Sequence, residues 1–272
     1  MTLDERLSWR GREVAWARRG SGPPVVFCHG TPWSSVVWVP FARALASTHT
    51  VYVWDMPGYG ASSKRPEHAV DLATQGELLG DLLDHWGLQR PHLVAHDYGG
   101  AVALRAHLLH GVDVASLFLT DVVALRPWGS EFFALVQRHA EVFAQLPPSI
   151  HRGAVEAYIQ GASHRGLRDD ALRDLVEPWL GDDGRPAFYR QIAQADEAFT
   201  AEFEPLLGRV TAPTHIVWGE EDTWIPVDRA HSLATAIPGA ERTLVPEAGH
   251  LIQYDAPVAL TAALAQWLSR RS

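Results

Sequence analysis

The sequence is poor in cysteine: its 272 residues include only one, Cys28. A single thiol excludes an intramolecular disulfide and a zinc site built from cysteines. Basic residues are also in the minority, 23 against 32 acidic ones, which gives a formal net charge of −9 at pH 7. A surface of that sign repels phosphate backbones, so we expect no nucleic-acid partner.

Long apolar runs are missing as well. No stretch of about 18 uncharged apolar residues occurs, so the sequence predicts no transmembrane helix and no membrane partner. The first twenty residues contain several charges, and no apolar segment follows a basic start, so no secretory signal is predicted and we expect a cytoplasmic protein. The 14 histidines show no ligand spacing such as His-Glu-x-x-His, so we expect no metal and no other cofactor.

What the sequence does contain is an alternation of short apolar strands, glycine-rich turns and helical patterns. Residues 7–17 are typical of an edge hairpin that turns near Arg10 and Gly11. Further strands are predicted over 24–28, 50–54, 92–95, 115–119, 214–218 and 242–245. Helical periodicity lies between them, for example over 71–88 and 100–109, with a closing helix over 256–268. This alternation predicts a mostly parallel α/β sheet with helices on both faces.

The strand pattern lapses between residues 125 and 207. Helical spacing is found there over 131–146, 154–161, 169–180 and 186–203, and Pro147 and Pro148 interrupt it. No strand-like run separates these helices. The sequence therefore predicts a core domain of residues 1–124 and 208–272 and an all-helical insertion over 125–207.

In open α/β sheets, functional sites form at the carboxyl ends of the strands. Six polar residues come just after predicted strands: His29, Asp55, Asp97, Asp121, Asp222 and His250. Asp97 stands in Ala95-His96-Asp97-Tyr98-Gly99-Gly100, where a strand, a tight turn between small residues and a helix have the layout of a nucleophile elbow. An aspartate at its centre can displace a leaving group at a saturated carbon and form an alkyl-enzyme ester. His250 would activate the water that hydrolyses this ester, and Asp222 would orient His250.

Five motifs follow one another along residues 25–255. They are His29-Gly30-Thr31-Pro32, Asp55-Met56-Pro57-Gly58-Tyr59-Gly60-Ala61-Ser62, His96-Asp97-Tyr98-Gly99-Gly100, Trp218-Gly219-Glu220-Glu221-Asp222 with Pro226, and Gly249-His250. In this order the chain resembles the α/β-hydrolases of the branch with an aspartate nucleophile. The resemblance implies an α/β-hydrolase fold in which the insertion 125–207 is a helical cap. It also implies an oxyanion hole formed by the main-chain N–H groups of Thr31 and Tyr98.

That branch contains epoxide hydrolases, haloalkane dehalogenases and haloacetate dehalogenases, which differ in the leaving group. In epoxide hydrolases two cap tyrosines protonate the departing oxygen. Tyr189, in Phe188-Tyr189-Arg190 and 33 residues before Asp222, matches the later of the two. For the earlier one three alternatives stay open: Tyr158 fills the role, His139 replaces it, or one tyrosine acts alone. The resemblance thus implies an epoxide hydrolase.

Two other functions remain as alternatives. The first is a haloalkane or haloacetate dehalogenase with the same Asp-His-Asp machinery. Against it, this sequence has Tyr98 and Thr31 where haloalkane dehalogenases have Trp and often Asn, and Tyr98 where haloacetate dehalogenases have Arg. The second is a non-catalytic ligand-binding protein on the same fold.

The position of the orienting acid also has an alternative. Asp121 follows the strand after the elbow, where some dehalogenases place this acid, but the Gly-x-x-Asp-x-x-x-Pro context favours Asp222.

The remaining expectations concern the substrate. Trp33 and Trp38 follow the His-Gly turn and, together with His139, are candidates for the lining of the substrate pocket, although ordinary packing explains the two tryptophans equally well. The apolar character of 125–207 favours a small or medium apolar organic substrate. A homodimer is compatible with the sequence.

Overall fold

Eight strands form a single sheet in the computed structural model, which describes residues 1–271. The strands are β1 (Glu5–Trp9), β2 (Arg12–Arg19), β3 (Pro24–Cys28), β4 (Thr50–Trp54), β5 (His92–His96), β6 (Ser116–Thr120), β7 (Thr214–Gly219) and β8 (Glu241–Val245). Their order across the sheet is β1-β2-β4-β3-β5-β6-β7-β8. β1 and β2 form an antiparallel hairpin, β2 pairs antiparallel with β4, and the other neighbours are parallel. The predicted mostly parallel sheet is confirmed.

The central strands are buried on both faces. Every residue of β4, β5, β6 and β7 is buried. Helices on both faces of a parallel sheet produce such continuous burial, which is why these strands appear in the sequence as unbroken apolar runs. The edge strand β8 is mostly exposed, and only its last residue, Val245, is buried.

Eleven α-helices occur within residues 1–271. They are α1 (Val39–Leu45), α2 (Leu72–His85), α3 (Tyr98–Leu109), α4 (Glu131–Phe143), α5 (Pro148–Gln160), α6 (Asp169–Val176), α7 (Gly184–Ala193), α8 (Ala198–Ala201), α9 (Asp228–Ala236), α10 (Ile252–Asp255) and α11 (Pro257–Ser269). The sequence did not predict α1 and α9, because seven and nine residues give too few turns for a clear apolar period. None of these helices combines the length and the apolar character needed to cross a bilayer.

The segment between β6 and β7 contains α4 to α8 and, in the part of the chain that the structure describes, no strand. α4 packs against α7, and α5 packs against α6. The predicted helix over 154–161 has the wrong start, since α5 begins at Pro148. Proline is tolerated in a first helical turn because its missing N–H has no helical partner there. The division into core and cap stays a prediction, and Ser272, the last residue of the predicted core, lies outside the described residues.

Six parallel strands end on the same side of the sheet. β4, β3, β5, β6, β7 and β8 are parallel neighbours, so the loops that follow them lie at the same end of the sheet. These loops contain the six predicted polar residues, His29, Asp55, Asp97, Asp121, Asp222 and His250. The strand order therefore brings together residues that are far apart in the sequence.

Candidate active site

Asp97 occupies the sharp turn between β5 and α3. Its backbone has φ 51° and ψ −122°, a combination that residues with a side chain rarely adopt and that costs about 1–3 kcal/mol. A Cβ on Gly99 would overlap the backbone of Cys28, and a Cβ on Gly100 would overlap Val122. Glycine is therefore required where α3 approaches the sheet. The strained turn places the Asp97 carboxylate at the carboxyl ends of the strands.

The Asp97 carboxylate has two different neighbours. Its Oδ1 accepts a hydrogen bond of 2.6 Å from the main-chain N–H of Thr31. Its Oδ2 lies 3.2 Å from Nε2 of His250. Tyr98 is the first residue of α3, where main-chain N–H groups have no partner inside the helix. Thr31 is thus in contact with the carboxylate, and the oxyanion role of the Thr31 and Tyr98 main chain stays a prediction.

His250 is held between two carboxylates. Its Nδ1 lies 2.9 Å from Oδ2 of Asp222, and because an ionised carboxylate only accepts hydrogen bonds, Nδ1 carries a hydrogen and donates it. Burial lowers the pKa of His250, but the charges of Asp222 and Asp97 together outweigh burial and raise this pKa well above its usual value. Nε2 faces Oδ2 of Asp97, so the protonated ring forms an ion pair with the nucleophile.

Asp222 is fixed by its own loop. Its Oδ1 accepts the main-chain N–H groups of Trp224 and Ile225 at 2.8 and 2.9 Å. Its Oδ2 accepts the hydrogen of His250 Nδ1. A carboxylate held by three donors keeps the imidazole in one orientation and stabilises its protonated form.

The alternative acid, Asp121, makes other contacts. Its Oδ1 accepts the main-chain N–H of Gly219 at 2.9 Å, and its Oδ2 accepts the hydroxyl of Thr120 at 2.8 Å. Burial, together with the charge of Asp222, raises the pKa of Asp121 well above its usual value. Asp222, and not Asp121, is the carboxylate that hydrogen-bonds His250 in this structure.

The two carboxylates are therefore expected to respond differently to substitution. Asp222→Asn removes the acceptor that fixes the imidazole, so kcat/KM on an accepted substrate should fall about 10³- to 10⁴-fold. Asp121→Asn keeps an oxygen for Gly219 and removes no hydrogen bond to His250, so kcat/KM should stay within about threefold of the parent value. A large loss of kcat/KM in Asp121→Asn would assign it the relay instead.

The same Asp121→Asn variant should change the pH dependence of stability. A carboxyl group with a raised pKa in the folded state stabilises the fold fully only below its unfolded pKa of about 4, and this contribution is lost as the pH rises through the folded pKa. Removing the titration should therefore raise the free energy of unfolding relative to the parent protein more at pH 8 than at pH 5. Urea unfolding at both pH values measures the difference, and an equal difference at both contradicts the raised pKa.

Two further histidines fix the backbone around the site. His29 Nε2 accepts the main-chain N–H of Met56 at 2.9 Å, so its Nδ1 carries the hydrogen and donates to the carbonyl of Gly30. His96 Nε2 lies 2.8 Å from the carbonyl oxygen of His250 and donates to it. Burial lowers the pKa of His96 to about 3, so this ring stays neutral beside the His250 ring, 4.9 Å away. Both side chains position the loops that hold Asp97 and His250.

A narrow cavity opens onto Asp97. Its lining comes from the turn after β3, the elbow, the loop before α4, and parts of α4, α5 and the Asp222 loop. The lining residues are Thr31, Asp97, Tyr98, Val123, Trp128, Gly129, Ser130, Phe133, Tyr158, Trp224 and Ile225. Apart from Asp97 and a few hydroxyl groups, this lining is apolar.

Two tyrosines face this cavity. Burial raises the pKa of Tyr98 and of Tyr158 well above 10, and the negative charge of Asp97 raises both further. Both hydroxyls therefore keep their protons and can donate them. The Tyr98 hydroxyl is buried and has no hydrogen-bond partner within residues 1–271. The cavity thus has two tyrosine hydroxyls close to its carboxylate, one from the elbow and one from α5.

The structure places Tyr189 elsewhere, against the sequence-based expectation for the leaving-group acid. Its hydroxyl lies 2.9 Å from Nδ1 of His151. His151 donates its other ring hydrogen to the carbonyl of Trp179 at 2.9 Å, so Nδ1 must accept the hydrogen of Tyr189. Tyr189 is fully buried and is absent from the described lining of the cavity.

Three predicted pocket residues also lie outside the described lining. Trp33 stacks on Trp224 with ring centroids 5.8 Å apart and so lies behind the cavity wall. Trp38 is fully buried and donates its indole N–H to the carbonyl of Cys28 at 3.1 Å, which is ordinary packing. His139 is exposed, at a non-helical position inside α4.

Sequence reasoning missed two aromatic residues of the site. Trp224 stacks on Tyr158 at 4.4 Å and on His250 at 5.1 Å, measured between ring centroids. Trp224 comes two residues after Asp222 in the sequence, and this short spacing could have indicated that it lies beside the site. Trp128 packs edge-on against Tyr98 at 5.7 Å and donates its indole N–H to Thr200 at 2.9 Å. Nothing in the sequence of its loop indicates that role, because loop residues follow no apolar period.

Comparisons with known proteins agree with this architecture. The family model described as the alpha/beta hydrolase fold matches residues 23–257. A crystal structure of an alpha/beta hydrolase fold protein from Burkholderia ambifaria is similar to this chain, with 43% identity, a TM-score of 0.95, and 98% of each chain covered.

Curated relatives are more distant. The chain is 25% identical over 274 residues to haloalkane dehalogenase 2 of Mycobacterium tuberculosis, covering 94% of this chain and 91% of that one. It is 31% identical over 259 residues to the dihydrolipoyllysine-residue acetyltransferase component of the acetoin cleaving system of Pseudomonas putida, covering 90% of this chain but only 64% of that protein. Because the family model spans most of its length, the chain belongs to the α/β-hydrolase-fold family.

Proposed function

We propose that this protein hydrolyses epoxides to vicinal diols through an alkyl-enzyme ester on Asp97. The observation that supports this most directly is the environment of the Asp97 carboxylate. One of its oxygens accepts the Thr31 N–H, and the other lies 3.2 Å from the imidazole of His250. A carboxylate at an elbow attacks a saturated carbon, whereas the serine found there in other hydrolases attacks an acyl carbon.

In the first half-reaction, Oδ2 of Asp97 attacks an epoxide carbon. The new ester C–O bond forms as the epoxide C–O bond breaks, and the departing oxygen takes a proton from Tyr158 or Tyr98. Oδ1 then becomes the ester carbonyl oxygen and still faces the Thr31 N–H. The hydroxyls of Tyr98 and Tyr158 face the same cavity and keep their protons. A departing oxygen needs a proton, so these two hydroxyls support an epoxide as the substrate.

In the second half-reaction, water attacks the ester carbonyl of Asp97. Esterification removes one of the two negative charges that raise the pKa of His250. The pKa of His250 therefore falls when the ester forms, and Nε2 gives its proton to the tyrosinate left by ring opening. The imidazole is then neutral and can accept a proton from water. Water gives its proton to Nε2, Asp222 stabilises the imidazolium, and the negative charge develops on Oδ1. Collapse of this intermediate breaks the ester C–O bond, and the departing alkoxide takes the proton of the new carboxyl group. This releases the diol and restores the carboxylate beside protonated His250.

The cavity limits the size of the substrate. Its volume is about 40 Å³, and a single buried water needs roughly 10–15 Å³. The free space beside Asp97 therefore accepts a molecule of only a few non-hydrogen atoms without movement of the walls. Together with the apolar lining, this supports a small apolar epoxide.

Dehalogenation is the second candidate, and the similarity to a haloalkane dehalogenase over 94% of this chain supports it. The same carboxylate can displace a halide, and tyrosine hydroxyls can donate hydrogen bonds to the departing anion. A halide needs no proton, so the two functions differ in how strongly they depend on the tyrosines.

Epichlorohydrin contains both an epoxide and a carbon–chlorine bond, so it tests the two functions in one experiment. With the enzyme at neutral pH, we expect 3-chloro-1,2-propanediol to form before any chloride is released. The matched control is Asp97→Ala, which should form neither product above background. Release of chloride together with glycidol would overturn epoxide hydrolysis in favour of dehalogenation.

A further inference from the structure

Gln191 of α7 connects the helical segment above the site to the turn after β3. Its side chain is 2% exposed. Its Oε1 accepts the hydroxyl of Thr31 at 2.6 Å and the hydroxyl of Tyr59 at 3.0 Å. Burial raises the pKa of Tyr59, so this hydroxyl keeps its hydrogen and can donate it. One amide oxygen is thus the common acceptor of two buried donors from separate loops.

Thr31 is the link between Gln191 and the nucleophile. Its hydroxyl is bonded to Gln191, and its main-chain N–H donates to Oδ1 of Asp97 at 2.6 Å. Gln191 is therefore connected to the nucleophile through a single residue, although it lies 160 residues from Thr31 in the sequence. Buried hydrogen bonds of this kind are costly to break, because neither partner can turn to water.

We propose that Gln191 is a positioning residue for the oxyanion hole, and this inference rests on the function proposed above. Oδ1 of Asp97 carries part of the carboxylate charge before the reaction and little charge in the ester. It becomes a full oxyanion when water attacks the ester. The placement of the Thr31 N–H therefore matters most in the second half-reaction, since a fixed donor accelerates the step in which charge develops opposite it.

Gln191→Met tests this, because methionine has a similar length but lacks the amide oxygen. With epichlorohydrin and 1,2-dibromoethane as probes, rapid quenching and mass spectrometry follow the adduct on Asp97. We expect adduct decay to slow about tenfold, which corresponds to about 1.4 kcal/mol, while adduct formation stays within about threefold of the parent rate. The adduct should therefore accumulate in the variant.

Gln194→Met is the matched control. Gln194 also bridges the end of α7 to another part of the chain, since its Oε1 accepts the main-chain N–H of Val70 at 2.7 Å. It has no bond to Thr31 or Asp97 among the hydrogen bonds of the described residues, so adduct decay should match that of the parent protein. Thr31→Val removes the hydroxyl that donates to Gln191, so it should slow adduct decay by the same factor as Gln191→Met. Adduct decay in the double variant Gln191→Met/Thr31→Val should be no slower than in either single variant, because both substitutions remove the same hydrogen bond.

The outcomes separate this inference from the function on which it rests. Adduct decay within twofold of the parent rate in both Gln191→Met and Thr31→Val overturns the positioning role, as does equal slowing of formation and decay. If neither probe gives an adduct in His250→Gln, where the ester should persist, the proposed function itself is overturned.

Discussion

His250→Gln is expected to stop turnover after one half-reaction and to leave the enzyme esterified at Asp97. Glutamine cannot act as the base for the attacking water, whereas attack by the carboxylate does not need that base. Steady-state turnover should fall about 10³-fold or more. The intact protein should gain the mass of one substrate molecule, and peptide mapping should locate the added mass on Asp97.

The mass of the trapped adduct also identifies the leaving group. Opening of the epoxide ring of epichlorohydrin adds the whole molecule, and the adduct keeps the chlorine isotope pattern. Displacement of chloride adds the glycidyl group, without chlorine. Asp97→Ala combined with His250→Gln is the control and should gain no mass. An unmodified His250→Gln protein after long incubation, with the parent protein active, would contradict an ester intermediate.

Tyr158→Phe is expected to reduce epoxide opening at least about a hundredfold, because general acids contribute 10²- to 10⁴-fold to such steps. Tyr158 lines the cavity beside Asp97, and its ring is held by stacking on Trp224 at 4.4 Å. Phenylalanine preserves this stacking, so the loss should report on the hydroxyl alone. On 1,2-dibromoethane the same variant should lose only about tenfold, because a hydrogen bond to a halide is weaker than proton transfer to an alkoxide.

Tyr189→Phe is the matched control for this prediction. The Tyr189 hydroxyl is bonded to His151 and lies outside the described lining of the cavity. Its removal should leave the rate of adduct formation within about threefold of the parent rate, although loss of a buried hydrogen bond should lower stability by about 1 kcal/mol. A large loss of epoxide opening in Tyr189→Phe with none in Tyr158→Phe would return the acid role to Tyr189.

The order of strands and turns could be predicted from the sequence because a parallel sheet buries whole strands. β4, β5 and β6 are buried throughout, and the short apolar runs inside them are followed by polar residues or glycine. The predicted hairpin is present as β1 and β2, with its turn at Arg10 and Gly11. Helix boundaries were predicted less well, as the start of α5 at Pro148 illustrates, because proline does not exclude a first turn.

The sharp turn at Asp97 could also be predicted from the sequence, because it depends on residues next to it in the chain. The turn at Asp97 is specified by its own neighbours, since Gly99 and Gly100 leave the room that α3 needs. Asp222 and His250 each follow a strand of the same sheet, so the topology of parallel neighbours brings them to the same edge. The sequence thus indicated which residues follow the strands, and the observed strand order brings those residues together.

Only the tertiary structure decided which side chains of the helical segment between β6 and β7 face the carboxyl ends of the strands. Tyr158 and Tyr189 are both aromatic residues on helices, and their sequence positions do not state how those helices are rotated or packed. The packing turns Tyr158 towards Asp97 and pairs Tyr189 with His151. The bond between Gln191 and Thr31 likewise depends on how α7 lies over the turn after β3. Helix periodicity predicts which residues share a face, but contacts between distant segments are set by the packing of the whole chain.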